Sequence, residues 1–569
     1  MQITRRNLIQ TGVFGAAAAG LGVFSAREAV AEAGPYTAFY PALDRFVEQY
    51  LREMNAPGMT LVLADRDAVR RVVTYGYGDL GARQRVREDE LFQIGSISKS
   101  FVALALLQLH DEGKLDLQRP IVDYLPWMRI DTKFAPITVH NLLTHTTGLP
   151  GAGDIFQWDP ELAYLAAYAP GEHFHYNNAM WDLLGILAWT LDGRELPELL
   201  RERILRPVGM HSSEPVITAD IRGRLAKNYT PFLADRPYPR DGRLAEAPFV
   251  FATGGAGCVA ATAADMGRYV RMIANHGRLD ESRLLSEDAF NRFSNSHIEA
   301  PAFGPGAQYG YGIAVDRLDG NRLLRHTGGM VSFMSALMVD IDAGVGAFAS
   351  VNAQQGYRPN PVVRYAIQLM RAQRESVPLP EMPEPDPPAV VANAADYAGR
   401  YRGEAGTLEV AADGDRLYLL QEGERIPLER QGEADRFLVR HPAFDRFVLL
   451  FGRKDPAVVQ SEVVEAAWGG DWYRNTKYEG PESFSHPAEW DAYVGHYRNE
   501  NPWVGSQRIV IRKGRLWLDG TTPLEADGKL FRLRDDPYNT EWIRFGAVVN
   551  GRCMRIRISG NDLWRVAAG

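Results

Sequence analysis

In the stretch LFQIGSISKSFVALALLQLH, Leu91 to His110, Ser96 and Lys99 sit three residues apart where a long apolar run begins. On a helix, positions i and i+3 share a face with Cβ atoms about 5–6 Å apart, so the amine can reach the hydroxyl. A serine hydroxyl is a poor nucleophile until a neighbouring group takes its proton. A desolvated lysine near a helix N-terminus can take or relay one. The pair therefore points to acyl transfer through Ser96. The same residues would also serve as a capping serine and a snorkelling lysine, so the pair alone leaves both readings open. Ser98 also adjoins the lysine, but an i+1 neighbour faces away. Two other stretches carry polar groups in suggestive settings. Tyr176-Asn177-Asn178 stands just ahead of an apolar helix, and His326-Thr327-Gly328-Gly329 lies in a strand pair.

The elements that must hold these groups are legible from periodicity. YPALDRFVEQYLREMN (Tyr40 to Asn55) has helical spacing. GMTLVLADRDAVRRVVTYGYGDL then reads as two strands around a turn at Asp65 to Asp67. Helices alternate with loops to about Asn275. RLLRHTGGMVSFMSALMVDIDAGVGAFASVNA predicts a hairpin turning near Asp342 to Gly344, and PNPVVRYAIQLMRAQRE a closing helix. Strands at both ends with helices between predict one antiparallel sheet, assembled from distant parts of the chain and covered by helices. SVPLPEMPEPDPPAV, with six prolines between Pro378 and Pro388, is an extended spacer. Beyond it, DYAGRYRG returns as AYVGHYRN, so Y-x-G-x-Y-R occurs twice with Tyr397 matched to Tyr493. Each copy leads into short alternating strands, which predicts two small antiparallel barrels or sandwiches.

The three motifs, in this order, resemble those of the serine β-lactamase and penicillin-binding protein family. The branch most similar holds class C β-lactamases, DD-carboxypeptidases, D-aminopeptidases and related esterases. ITVHNLLTHTTGLPG, PVGMHSS and GGAGCVAATAADMGRYV fit the same pattern, and the resemblance spans about Tyr40 to Glu375. It implies an α/β (α+β) β-lactamase/transpeptidase-like domain, an antiparallel sheet flanked by helices. The tail resembles the paired lipocalin-like all-β barrels of bacterial D-aminopeptidases. It further implies that Ser96 is acylated, that Lys99 eases removal of its proton, and that Tyr176 shuttles the proton to the leaving group. Asn178 would orient a substrate amide. The N–H groups of Ser96 and Gly329 would form the oxyanion hole, with Gly328 and Gly329 letting substrate approach the strand. Class C β-lactamases carry lysine where this chain has His326, a side chain cationic only below about pH 6.5. The expected activity is a serine peptidase or amidase on small or linear peptides. An esterase or weak β-lactamase is the alternative, and a penicillin-binding sensor without turnover is a third.

The remaining features bound the answer. Among 569 residues, 46% are hydrophobic and 24% charged, with a net charge of −8. That is a globular composition with no footprint for nucleic acid. Residues 1–31 pair Arg5-Arg6 with an apolar run from Gly12 to Phe24 and an A-x-A end at Ala29 and Ala31, which predicts a twin-arginine-type signal peptide and export, with no stable membrane anchor. The expected units are then 35–376 catalytic, 377–390 linker, 391–484 first barrel and 485–569 second barrel. Cys258 and Cys553 are the two cysteines, and no bridge is expected between them. His140, His145, His173 and His175 lack H-E-x-x-H spacing and are expected to be scaffold, so no metal is predicted. With no G-x-S-x-G, phosphate loop or dinucleotide fingerprint, no cofactor is expected either. Trp468, Trp472, Trp503 and Trp517 are expected in barrel cores. Loop residues around Asp154 to Trp158 are expected to matter for substrate preference.

Overall fold

A computed structural model describes residues 27–28, 34–151, 164–233, 235, 237, 243–354, 359–385, 390–391, 393–431, 435–458, 461–534 and 537–566. Of the expected signal segment, Arg27–Glu28 is described, as a two-residue strand at a sheet edge. The rest of that segment and the loop at Asp154 to Trp158 lie outside the described residues.

The strand Gly58–Asp65, GMTLVLAD, is buried at every position. A strand buried on both faces reads as a continuous apolar run, because alternate side chains supply two different cores. Leu61 and Leu63 join helices Tyr40–Glu53 and Asn360–Glu375 on one side of the sheet. Val62 and Ala64 join helices Ser98–Asp111 and Ala263–Ala274 on the other. The ten-stranded sheet is antiparallel and draws on both ends of the catalytic region. Gly58–Asp65 pairs with Val345–Val351, which pairs with Met334–Asp340, which pairs with Asn321–Gly329. The expected turns at Asp65 to Asp67 and Asp342 to Gly344 join these strands.

Helix Ser98–Asp111 is apolar all round, and every residue from Phe101 to Leu107 is fully buried. A helix of that kind belongs in the centre of a core. Ser96 sits just before it, on the 3₁₀ turn Gly95–Ile97. The end of strand Asn321–Gly329 packs on that turn with no room to spare. A Cβ at Gly328 would fall 1.8 Å from the Ile94 carbonyl oxygen, and one at Gly95, whose φ is +53°, would fall 2.8 Å from the Gly329 nitrogen.

The tail forms two closed eight-stranded barrels, Gly399–Gly403 through Asp471–Arg474 and Gly495–Arg498 through Asn561–Arg565. Eight strands leave an interior that side chains can fill, and each barrel has its own apolar core. The repeated motif has a common job. Tyr401 Oη donates to the Tyr397 carbonyl at 2.8 Å, and Tyr497 Oη to the Tyr493 carbonyl at 2.6 Å. Both cysteines are free, and burial pushes the Cys258 thiol up to about 12. Three tryptophans depart from expectation. Trp468 packs against the first core, but Trp472 lies outside it, bonded to Glu465 and edge-on to Tyr478 and Phe484. Trp517 lies under the Arg512 guanidinium at 3.9 Å. Trp503 is 48% exposed. Trp472 and Trp517 lie on short strands, where alternate side chains point outward, and Trp503 lies on the turn before strand Ser506–Arg512.

Because Gly328 has no space for a Cβ, Gly328→Ala is expected to destabilise the fold by about 1–3 kcal/mol, as overpacking does. It should also slow labelling of Ser96 by a fluorophosphonate. An unchanged denaturant midpoint with full labelling would refute the steric reading.

Candidate active site

Three chain segments converge on the Lys99 side chain, which is fully buried. Its Nζ donates to Ser96 Oγ at 3.0 Å, Asn178 Oδ1 at 2.8 Å and the Ala256 carbonyl at 2.8 Å. Three acceptors match the three hydrogens of an ammonium group. The same nitrogen sits 4.9 Å from the centroid of the Tyr176 ring. Ser96, Lys99, Tyr176 and Asn178 are therefore one cluster. Asn178 spends its oxygen on Lys99, which leaves its amide hydrogens for another acceptor.

Tyr176 is held by the segment THTTGLPG. The His175 N–H donates to the His145 carbonyl at 2.8 Å, and the Asn177 N–H to His145 Nδ1 at 2.8 Å. Asn177 Nδ2 donates to the carbonyls of Leu149 and Pro150, while its Oδ1 caps the helix Asn178–Asp192 by accepting from the Met180 N–H. The His145 ring stacks on Tyr176 at 4.3 Å. Burial, reinforced by the Lys99 charge, pushes His145 well below its ordinary value, so it backs the phenol as a neutral ring.

His326 is buried, and its ring centroid lies 6.4 Å from that of Tyr176. Its Nδ1 donates to the Thr327 carbonyl at 2.7 Å, which leaves Nε2 to accept from Tyr309 Oη at 3.0 Å. Burial holds Tyr309 well above its ordinary value, in keeping with a donor phenol. Gly329 lines the cavity beside Ser96, whereas Gly328 presses on Ile94 behind it. The other singled-out groups are elsewhere. Ser98 Oγ accepts from the Val259 N–H. His140 bonds Tyr311 and packs on His297. His173 stacks on Tyr538, and His175 faces Glu541.

The cavity over Ser96 encloses about 590 Å³ and is walled partly by the second barrel, through Asn501, Trp503 and Gln507. A second contact clasps the Tyr176 loop. Glu541 accepts from the Gly151 N–H at 2.6 Å and meets His175 Nε2 at 3.3 Å, while Thr540 Oγ1 donates to the Leu149 carbonyl. Burial raises the Glu541 carboxyl, but hydrogen bonds led by His175 outweigh this and leave it lowered. Asp182, Ala256 and Glu541 escape a reading from sequence, and Trp503, expected in a barrel core, lines the cavity instead. Only Asp182 left a signal, as a charge one turn past Asn178 on an otherwise apolar stretch.

A family model for Beta-lactamase matches residues 43–372, and the chain belongs to that family. It is similar to Esterase EstB of Burkholderia gladioli, 30% identical over 325 residues, covering 48% of this chain and 79% of that protein. It is also similar to the D-alanyl-D-alanine-carboxypeptidase/endopeptidase AmpH of Escherichia coli (strain K12), 26% identical over 334 residues, covering 54% and 83%. The fold matches that of the octameric penicillin-binding protein homologue from Pyrococcus abyssi, with a TM-score of 0.54 and 24% identity over 76% of this chain and 99% of that one. The chain is a serine hydrolase of the β-lactamase and penicillin-binding-protein type.

Folding lowers the Glu541 carboxyl below its ordinary 4.5. A depressed acid stabilises fully above the unfolded value and loses that contribution as pH falls through the folded one. The denaturant midpoint of Glu541→Gln should therefore trail the parent at pH 7 and converge with it in strong acid. A gap independent of pH would show that the carboxylate charge does not hold the clasp.

Proposed function

We propose that this chain is an exported peptidase or amidase acting on small or linear peptides through an acyl-enzyme on Ser96. The observation that carries the reading is the single ammonium group bonding Ser96, Asn178 and Ala256 at once, beside the Tyr176 ring. In the proposed cycle, Ser96 Oγ bonds the scissile carbonyl carbon as its proton passes to the Tyr176 oxygen, which acts in its phenolate form beside the Lys99 ammonium. Negative charge on the carbonyl oxygen is met by the N–H groups of Ser96 and Gly329. Collapse of the tetrahedral species breaks the C–N bond, and the departing amine takes the proton from Tyr176. Water then repeats the sequence and frees Ser96. Asn178, with its amide hydrogens unspent, donates to the substrate's own carbonyl.

Several facts support a peptide substrate. The cavity volume suits a short peptide or acyl amide. AmpH, as its name states, is a carboxypeptidase and endopeptidase. The barrel residues Asn501 and Trp503 at the wall would restrict how long a chain can enter. Export rests on the paired arginines and apolar run of the leader. Among the described residues no helix is long and apolar enough to cross a membrane. Esterase action is the second reading, favoured by the similarity to EstB.

Rates on D- and L-aminoacyl p-nitroanilides beside p-nitrophenyl esters test the proposal. Anilide turnover supports the peptidase, ester turnover alone the esterase, and a lasting penicillin adduct without product the sensor. Tyr176→Phe is expected to lower kcat/KM on anilides by about 10²–10⁴, the range of general acid–base catalysis. Ser96→Ala should abolish fluorophosphonate labelling. A Tyr176→Phe enzyme as fast as the parent would remove the phenol from the mechanism.

A further inference from the structure

Among the described residues lining the cavity, Asp182 is the one that carries a charge. It lies one turn beyond Asn178 on the helix Asn178–Asp192, and positions i and i+4 share a face. Its Oδ1 accepts from the Ala256 N–H at 2.9 Å. Lys99 is not its ion-pair partner, since the three ammonium hydrogens go to Ser96, Asn178 and Ala256. Burial pushes the Asp182 carboxyl above its ordinary value, and the Ala256 N–H and the Lys99 charge offset this only in part. A carboxylate set in a partly enclosed wall loses hydration and gains when a cation enters.

The surroundings of the cavity point the same way. His326, near Tyr176 but outside the cavity lining, is buried with its two ring nitrogens committed to Thr327 and Tyr309, so it offers no cation to a substrate carboxylate. The barrel side offers neutral groups, Asn501 and Gln507, and the indole of Trp503, whose face attracts cations. A substrate carboxylate would meet a like charge and neutral donors; an ammonium group would meet a carboxylate and an aromatic ring.

We propose that Asp182 is a specificity-determining residue that admits acyl groups bearing an alkylammonium near the scissile carbonyl and disfavours those bearing a carboxylate there. The ammonium has two sources, a free α-amine or a lysine-type side chain. This rests on the acyl-transfer reading of Ser96 and adds the charge of the acyl group. It also gives Asp182 two tasks, because it holds the N–H of Ala256, the residue whose carbonyl accepts from Lys99.

The test compares four p-nitroanilides on the full chain: alanyl, N-acetyl-alanyl, N-acetyl-lysyl and N-succinyl-alanyl. The kcat/KM of an ammonium-bearing substrate should exceed that of N-acetyl-alanyl by about 10–100-fold, the range for hydrogen bonds to charged groups. The succinyl compound should be slowest. Preference for alanyl assigns the α-amine, and preference for N-acetyl-lysyl the side chain. In Asp182→Asn, which keeps an oxygen for the Ala256 N–H, that ratio should collapse whatever the absolute rates. Fluorophosphonate labelling checks that the site is still assembled, and Asp182→Ser replaces the variant if it does not fold. Equal rates for charged and acetylated substrates in the parent, or a preference that survives in the variant, would overturn the proposal. If all four anilides are inert, the peptidase reading fails, and the same acyl groups offered as methyl esters carry the charge comparison unchanged.

Discussion

A buried ammonium group organises this molecule. Taking a charge out of water costs several kcal/mol unless hydrogen bonds replace its hydration shell. At Lys99 the replacements are the hydroxyl of Ser96, the amide oxygen of Asn178 and the Ala256 carbonyl. These lie in three segments separated by 79 and 157 positions from the lysine in the latter two cases. The cation is satisfied only when the central helix, the tyrosine loop and the glycine-rich loop are all in register. The geometry of the candidate site and correct folding are thus one condition here.

The scaffold enforces that condition by close packing. The central helix fixes Lys99 through an apolar surface buried on all sides. The strand ending at Gly329 abuts the serine turn so tightly that glycine alone fits at Gly328. Tyr176 is hung between hydrogen bonds of the His145 segment and shielded by that imidazole. Its loop is then clasped from outside by Glu541 and Thr540 of the second barrel. Support for the phenol therefore arrives from two domains.

Much of this could be read in the sequence, where local rules govern. The Ser96–Lys99 spacing, the strand turns at Asp65 to Asp67 and Asp342 to Gly344, and the duplicated Y-x-G-x-Y-R are short-range patterns. The structure gives each a physical reason, down to the phenol of Tyr401 or Tyr497 reaching back four residues to a carbonyl. What escaped is set by tertiary approach. Nothing near Glu541 announces that it will meet Gly151, 390 positions away. The outward faces taken by Trp472 and Trp517 depend on strand phase in very short strands, where a shift of one residue exchanges inside for outside. His326 had the right neighbours in sequence, but its buried setting and its bonds to Thr327 and Tyr309 come from packing against a strand whose partner residues lie elsewhere.

The wall formed by Asn501, Trp503 and Gln507 has an evolutionary corollary. The proposed bond-breaking groups reside in one folding unit, and part of the cavity wall belongs to another, with its own core and closed hydrogen-bond ladder. Exchanges in that barrel loop can reshape the cavity wall while Ser96 keeps its surroundings. Selection thus has a handle on diet that is separate from its handle on chemistry.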